Sequence, residues 1–250
     1  MNALFALSLS SFLDILRRPA TKVIASIGIV AILTLRYFSA FGLGYEVVQL
    51  KELAVYTAGL MAIVAAVVFV LPREDEDSSS MLQILTRPVP VWQVSLGLFI
   101  GRFAVIGGLI VLWGLASYAA LLWFELADPM MFSYRGADSA FSESFDLITP
   151  LLGQWLAAGV FLALLLPSSR SRRTVVIAAF GIGIYVVGNT AASFGGLFVR
   201  ILPDLSRYDL TAGLWSNGES KGLLLLIVHA FVWTSIGILA DSLALRGQTS

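Results

Sequence analysis

His229 is the only imidazole in the chain, there is no cysteine, and no stretch reads G-x-x-x-x-G-K-[ST]. A zinc or haem centre draws on several imidazole or thiolate ligands, so one histidine argues against either. Disulfide and thiolate chemistry are excluded. Without a phosphate loop, the chain offers a nucleotide no cradle of its own. Neighbouring carboxylates occur in the run Glu74-Asp75-Glu76-Asp77 and in the hydrophilic loops, where solvated charge explains them. No paired acids fall at depth in an apolar stretch, so no acid–base catalyst is expected. Gln154, Asn189 and His229 are the polar side chains deepest in apolar stretches. Such groups are costly in lipid and often functional; the plainer alternative is an interhelical hydrogen bond that holds a bundle together. Asp241 falls at the end of the last apolar stretch, where Arg246 or a helix end is the expected partner.

The elements that carry these residues are set by composition. Hydrophobic residues make up 58% of the 250 residues, charged residues 13%, and mean hydropathy is +0.88. Soluble domains average about 25% charged residues, so lipid is the solvent this composition fits. Lys plus Arg balance Asp plus Glu at 16 each, which argues against a nucleic-acid partner. Apolar runs fall at about 20–41, 53–71, 103–124, 147–166, 174–198 and 222–240. Each approaches the roughly 20 residues that a helix needs to cross the hydrocarbon. The expected fold is therefore all-α: one polytopic membrane domain over residues 1–250 with about six transmembrane helices. Ahead of the first span, Phe5, Leu9, Phe12, Leu13 and Leu16 share one helical face and Ser10, Ser11, Asp14, Arg17 and Arg18 the other. Residues 1–19 thus read as an amphipathic interfacial helix ended or redirected by Pro19. No basic residue precedes the apolar start, so a cleaved leader is not expected.

Cation placement sets the expected orientation. Arg17, Arg18, Lys22, Arg73, Arg87, Arg102, Arg170, Arg172, Arg173 and Arg246 fall on one side. Arg36, Lys51, Arg135, Arg200, Arg207 and Lys221 fall on the other. The excess marks the first side, with both termini, as cytoplasmic in a multi-pass protein of the plasma (bacterial inner) membrane. Residues 125–146 and 200–221 are then external, with Tyr208 and Trp215 suited to the membrane interface and 194–205 to an interfacial or re-entrant piece. Gly97, Gly101 and Gly108 line one side of the third span, a pattern for close helix packing, internal in the simplest case. Gly181, Gly183 and Gly188 give the fifth span bending freedom or tight packing.

The cytoplasmic stretch 73–93 is the most informative. Glu74, Asp75, Glu76 and Asp77 precede Ser78-Ser79-Ser80 and a short apolar turn with Met81, Leu82 and Leu85, closed by Arg87-Pro88. Acids ahead of a helix oppose its dipole, and a serine can cap it. A short amphipathic helix at the membrane surface offers a soluble partner a lever. A solvated loop separating two spans is the other reading of the same residues.

This pattern resembles the permease subunit of ABC-2 type transporters. The matching residues are Glu74 to Asp77, Leu82, Leu85, Arg87-Pro88-Val89, Trp92, Gly97 and Gly101, with Arg17-Arg18-Pro19 before the first span. Leu202-Pro203-Asp204-Leu205 and Tyr208-Asp209-Leu210 before the last span resemble the branch that includes the nitrous-oxide-reductase maturation and gliding-type permeases. Ser78-Ser79-Ser80 replaces the usual Gly-Thr or Gly-Ser, and Leu98 the usual lysine after Gly97. The resemblance implies a non-catalytic permease without cofactor, paired with a second permease copy or paralogue. Separate cytoplasmic ATPase subunits would bind ATP and magnesium, and 74–87 would be the coupling element. The alternative is a structural membrane subunit that scaffolds a larger complex and transports nothing.

Overall fold

The computed structural model describes residues 3–39, 45–71, 89–133, 136–170, 177, 181–184, 205–211, 214 and 223–249. The fold is all-α, with no strand among the described residues. Its helices are α1 (Ala3–Arg17), α2 (Pro19–Ser39), α3 (Glu46–Val70), α4 (Val91–Ala127), α5 (Pro129–Phe132), α6 (Ala140–Phe145), α7 (Ile148–Leu165) and α8 (Leu223–Thr249). Among the described residues, five stretches are long and apolar enough to cross a membrane: those of α2, α3, α4 and α8, and the run Ala140–Ser168 that contains α7. The expected fifth span, 174–198, lies outside the described residues except at 177 and 181–184.

Local chemistry sets the boundaries. Pro19 does not end a helix so much as begin one: a proline has no N–H to lose in a first turn, and only Arg18 separates α1 from α2. α4 starts after Pro90 and runs 37 residues, about 55 Å at 1.5 Å per residue. It extends twelve residues ahead of the expected span start at 103. At its far end Asp128 accepts from Met131 N at 3.2 Å, which caps α5, and Ser139 Oγ accepts from Ser142 N at 3.2 Å, which caps α6. α3 likewise starts earlier than the apolar run, so Glu46 and Lys51 are helical and buried.

Contacts fix the helix directions. Trp113 Nε1 on α4 donates to Ala25 O on α2 at 3.3 Å, and Arg36 Nη1 to Trp123 O at 3.4 Å, so α2 and α4 run parallel. Gln154 on α7 lies over Gly59 of α3, while Ala163 of α7 meets Gly237 of α8 backbone to backbone. With Tyr208 beside both Gly153 and His229, α7 and α8 also run in one direction. α7 therefore ends and α8 begins at opposite ends of the bundle. The core lies along α7, the most buried span; α2 and α8 are the least buried. Trp113, Phe69 and Phe161 fill it, and Phe103 stacks on Trp155 with centroids 4.6 Å apart.

Two layers flank the spans. At one end α1 lies along the start of α4. At the other, α5 and α6 pack against the end of α4, where Ala140 N donates to Glu125 Oε2 at 2.9 Å. From Gly101 to Glu125 is about 36 Å of helix, comparable with a hydrocarbon thickness of about 30 Å. The outer rim at the α5–α6 end carries Tyr37 edge-on to Trp123 (6.0 Å), with the Arg36 guanidinium 5.2 Å from the Trp123 ring. Such aromatics and a snorkelling arginine suit the headgroup level.

α1 is turned differently from the sequence expectation. Ser11 is buried, not facing water, and its hydroxyl donates to Leu98 O at 3.3 Å. Phe5, Leu9, Leu13 and Leu16 are exposed. The cause is the glycine seam: a Cβ on Gly101 would stand 2.6 Å from Ser8 O and 2.8 Å from Phe12 N. A bare glycine backbone lets α1 approach this closely, with Ser8 and Ser11 at Gly101 and Leu7 at Gly97. The apolar face is left for lipid.

Candidate functional site

A polar cluster forms where residues 205–211 wedge between α3, α7 and α8. The segment opens with a single 3-10 turn, Leu205–Tyr208. Asp209 then folds the chain on itself: its Oδ1 accepts from Thr211 N at 3.1 Å and from Thr211 Oγ1 at 2.6 Å. An aspartate bonded to the backbone two residues on is the usual device for a tight turn. Its other oxygen accepts from the Tyr56 hydroxyl of α3 at 2.9 Å, and Tyr56 also lies 3.1 Å from Thr211 Oγ1. Every oxygen of that carboxylate is thereby occupied.

Tyr208 points the other way, into protein. It is fully buried, its carbonyl sits where a side chain on Gly153 of α7 would be, and its hydroxyl is 2.7 Å from His229 Nδ1 of α8. Trp233 lies one turn further along, its ring centroid 6.4 Å from that of His229. The sequence suggested Tyr208 as a membrane-interface aromatic; the tertiary fold instead spends its hydroxyl on the one imidazole. The arrangement can hold three helices in register and can pass a proton between phenol and imidazole. It supplies no metal site: among the described residues no group of three His, Cys, Asp or Glu side chains converges. Among the described residues two acids are buried, Glu46 and Asp241. They stand at opposite ends of the bundle, so they form no pair.

Replacing Tyr208 with Phe is expected to destabilise the protein by about 1–2 kcal/mol, because it strands a polar ring nitrogen. Tyr208→Ala adds a cavity and is expected to cost about 3–5 kcal/mol. Thermal unfolding in detergent checks both. Equal, negligible losses would show that the 205–211 wedge does not hold the helices.

The other sequence-derived candidates are distributed as follows. Gln154 is half-buried on α7, its amide oxygen placed where a Cβ on Gly59 would stand. Gly97 and Gly101 both face α1, Gly97 against Leu7 and Ser8. Gly108 does not continue that seam: it is exposed, and a Cβ there would meet nothing within 4 Å. Glu74, Asp75, Glu76, Asp77, Met81, Leu82, Leu85, Arg87 and Asn189 lie outside the described residues, as do Gly188 and Trp215.

One group escaped the sequence reading. Lys51 of α3, 3% exposed, reaches Glu143 Oε2 at 2.5 Å and Asp146 Oδ2 at 2.8 Å across 92 and 95 residues. It clamps α6 to α3. A lysine just before an apolar run was the available signal, but nothing in the sequence names its partners. No protein-family model matches this chain, and no curated protein is significantly similar to it.

Proposed function

We propose that the chain is the transmembrane permease subunit of an ABC-2 type transporter, driven by ATPase subunits on a separate polypeptide. The observation that carries this reading is the acidic run and leucine turn from Glu74 to Arg87, joined to a multi-span chain without a phosphate loop. Three features of the fold support it. The ends of that segment, Leu71 and Val89, lie at the α1 end of the bundle. Arg18, at the junction of α1 and α2, donates to Leu71 O at 3.4 Å while paired with Asp14 at 2.7 Å. α4 projects beyond the expected membrane boundary with α1 packed on it. A push on the segment after α3 is thus delivered to three helices at once.

In this reading two permeases meet in the membrane, the substrate path runs along their interface, and the α1 end faces the cytoplasm. ATP binding closes the ATPase pair, moves the segment 74–87 and rearranges the spans. Gln154 and His229 hold the bundle and do not perform chemistry. Purification with the cognate ATPase tests this. Substituting Leu82, Leu85 and Glu74 is expected to abolish ATP-driven transport in proteoliposomes and to weaken complex formation. Intact assembly and transport would overturn the coupling role. Assembly without any hydrolysis-linked transport would favour the scaffold alternative.

A further inference from the structure

At the α5–α6 end of the bundle the outer wall has a slot of about 470 Å³ between α4, α6 and α7. Its floor is Gly114 and the buried Leu151, whose Cδ1 lies 3.2 Å from where a Cβ on Gly114 would stand. Its lips are Val111 and Leu115 on α4 and Leu152 on α7, exposed by 64%, 61% and 38%. The roof is the pair Phe141 and Phe145 of α6, packed edge to face with centroids 5.0 Å apart. The roof cannot swing away easily, because Glu143 on the same short helix is held by buried Lys51.

We propose that this slot is a binding site for one acyl chain of a phospholipid in the leaflet at the α5–α6 end. Its position requires an occupant from the bilayer, since it opens sideways from two membrane-crossing helices. Its length decides which part of the lipid. From Tyr118 to Ile110 is about 12 Å along α4, most of the roughly 15 Å that half of a bilayer core provides. Its volume falls within the range of small-molecule sites, about 300–1,000 Å³. The chemistry of its two ends matches a lipid as well. The deep end is wholly apolar, with Ile110, Val111 and Leu152. The end near α6 carries the Tyr118 hydroxyl, which has no hydrogen-bond partner among the described residues, and Ser144. Ser144 Oγ already donates to Phe141 O at 2.7 Å, which leaves the Tyr118 hydroxyl as the free donor of the lining. An acyl ester at the head of the chain fits that donor. The site depends on the membrane fold, not on coupling to an ATPase.

The full chain is reconstituted in nanodiscs with a phosphatidylcholine carrying a diazirine on one acyl chain, then irradiated and mapped by peptide mass spectrometry. Labelling of residues 110–118 and 141–152 is expected to exceed labelling of the lipid-exposed face of α8 (Leu224, Phe231, Leu239) several-fold. Val111→Trp and Leu115→Trp fill the slot from exposed positions, so neither requires the core to repack. Both are expected to remove the excess and leave α8 labelling unchanged. Uniform labelling, or an excess that survives both substitutions, overturns the proposal. The absence of native cysteine allows a further check. Efficient disulfide dimerisation of Val111→Cys in the same nanodiscs would show that a second copy covers the slot, and would also overturn it.

Discussion

Lys51→Met is expected to lower stability by about 2–4 kcal/mol, with a fall in thermal midpoint of roughly 6–12 °C in detergent. The substitution keeps an unbranched apolar stem in place and removes the ammonium group, with its charge and its donors to Glu143 and Asp146. Glu143, 17% exposed, then loses the cation that compensates its burial. Asp146 is 58% exposed and is rehydrated at little cost. The expected order is therefore Lys51→Met well above Glu143→Gln, and Glu143→Gln above Asp146→Asn, the last below about 1 kcal/mol. Removing both buried charges in Lys51→Met/Glu143→Leu should recover much of the single-site loss, since an apolar replacement for a buried pair is often neutral. High salt should change the wild-type midpoint little, because a buried pair is poorly screened. Equal, small effects for all three single variants would mean that α6 is held by apolar packing alone. Lys51 also fixes the roof of the slot, so Lys51→Met should reduce acyl labelling there.

Gly101→Ala is expected to be the most damaging single methyl addition on α4, at about 1–3 kcal/mol, and to free α1. Its Cβ would fall 2.6 Å from Ser8 O and 2.8 Å from Phe12 N, which are backbone atoms that cannot rotate aside. The two helices have to separate, and the Ser11 to Leu98 hydrogen bond goes with them. Gly108→Ala is the internal control. It meets nothing within 4 Å and should be neutral or stabilising by up to about 1 kcal/mol, the usual gain of alanine over glycine in a helix. Limited proteolysis of α1 together with thermal unfolding separates the outcomes. An unchanged α1 in Gly101→Ala would show that the seam tolerates a methyl group and that α1 is placed by the exposed Phe5, Leu9 and Leu13 seeking lipid.

The Gly97–Gly101 spacing was legible because it is a local pattern that puts two bare backbones on one helix face. Gly108, seven residues on, follows the same arithmetic and still faces outward: α1 meets the seam at Gly97 and Gly101, and nothing lies within 4 Å of a Cβ on Gly108. Sequence spacing defines a face; it does not say how far along that face a partner extends. His229 was visible as a polar group in an apolar run, and its partner Tyr208 was visible too, but as a surface aromatic. Only the folding of 205–211 onto Gly153 brought the two rings together. Lys51, Glu143 and Asp146 each looked like an ordinary loop or flanking charge.

By itself the sequence determined that this is an all-α chain with membrane-crossing helices and roughly where their apolar stretches lie, although α3 and α4 begin two to three turns ahead of them. Those properties follow from transfer free energy, proline and capping chemistry, each summed over neighbouring residues, so they need no knowledge of distant partners. The tertiary structure decided which face of α1 meets protein, which charges are buried together, and where the wall of the bundle leaves a slot. Each of those depends on side chains separated by tens of residues and by a methyl group's worth of space, and only the packed helices bring them within reach.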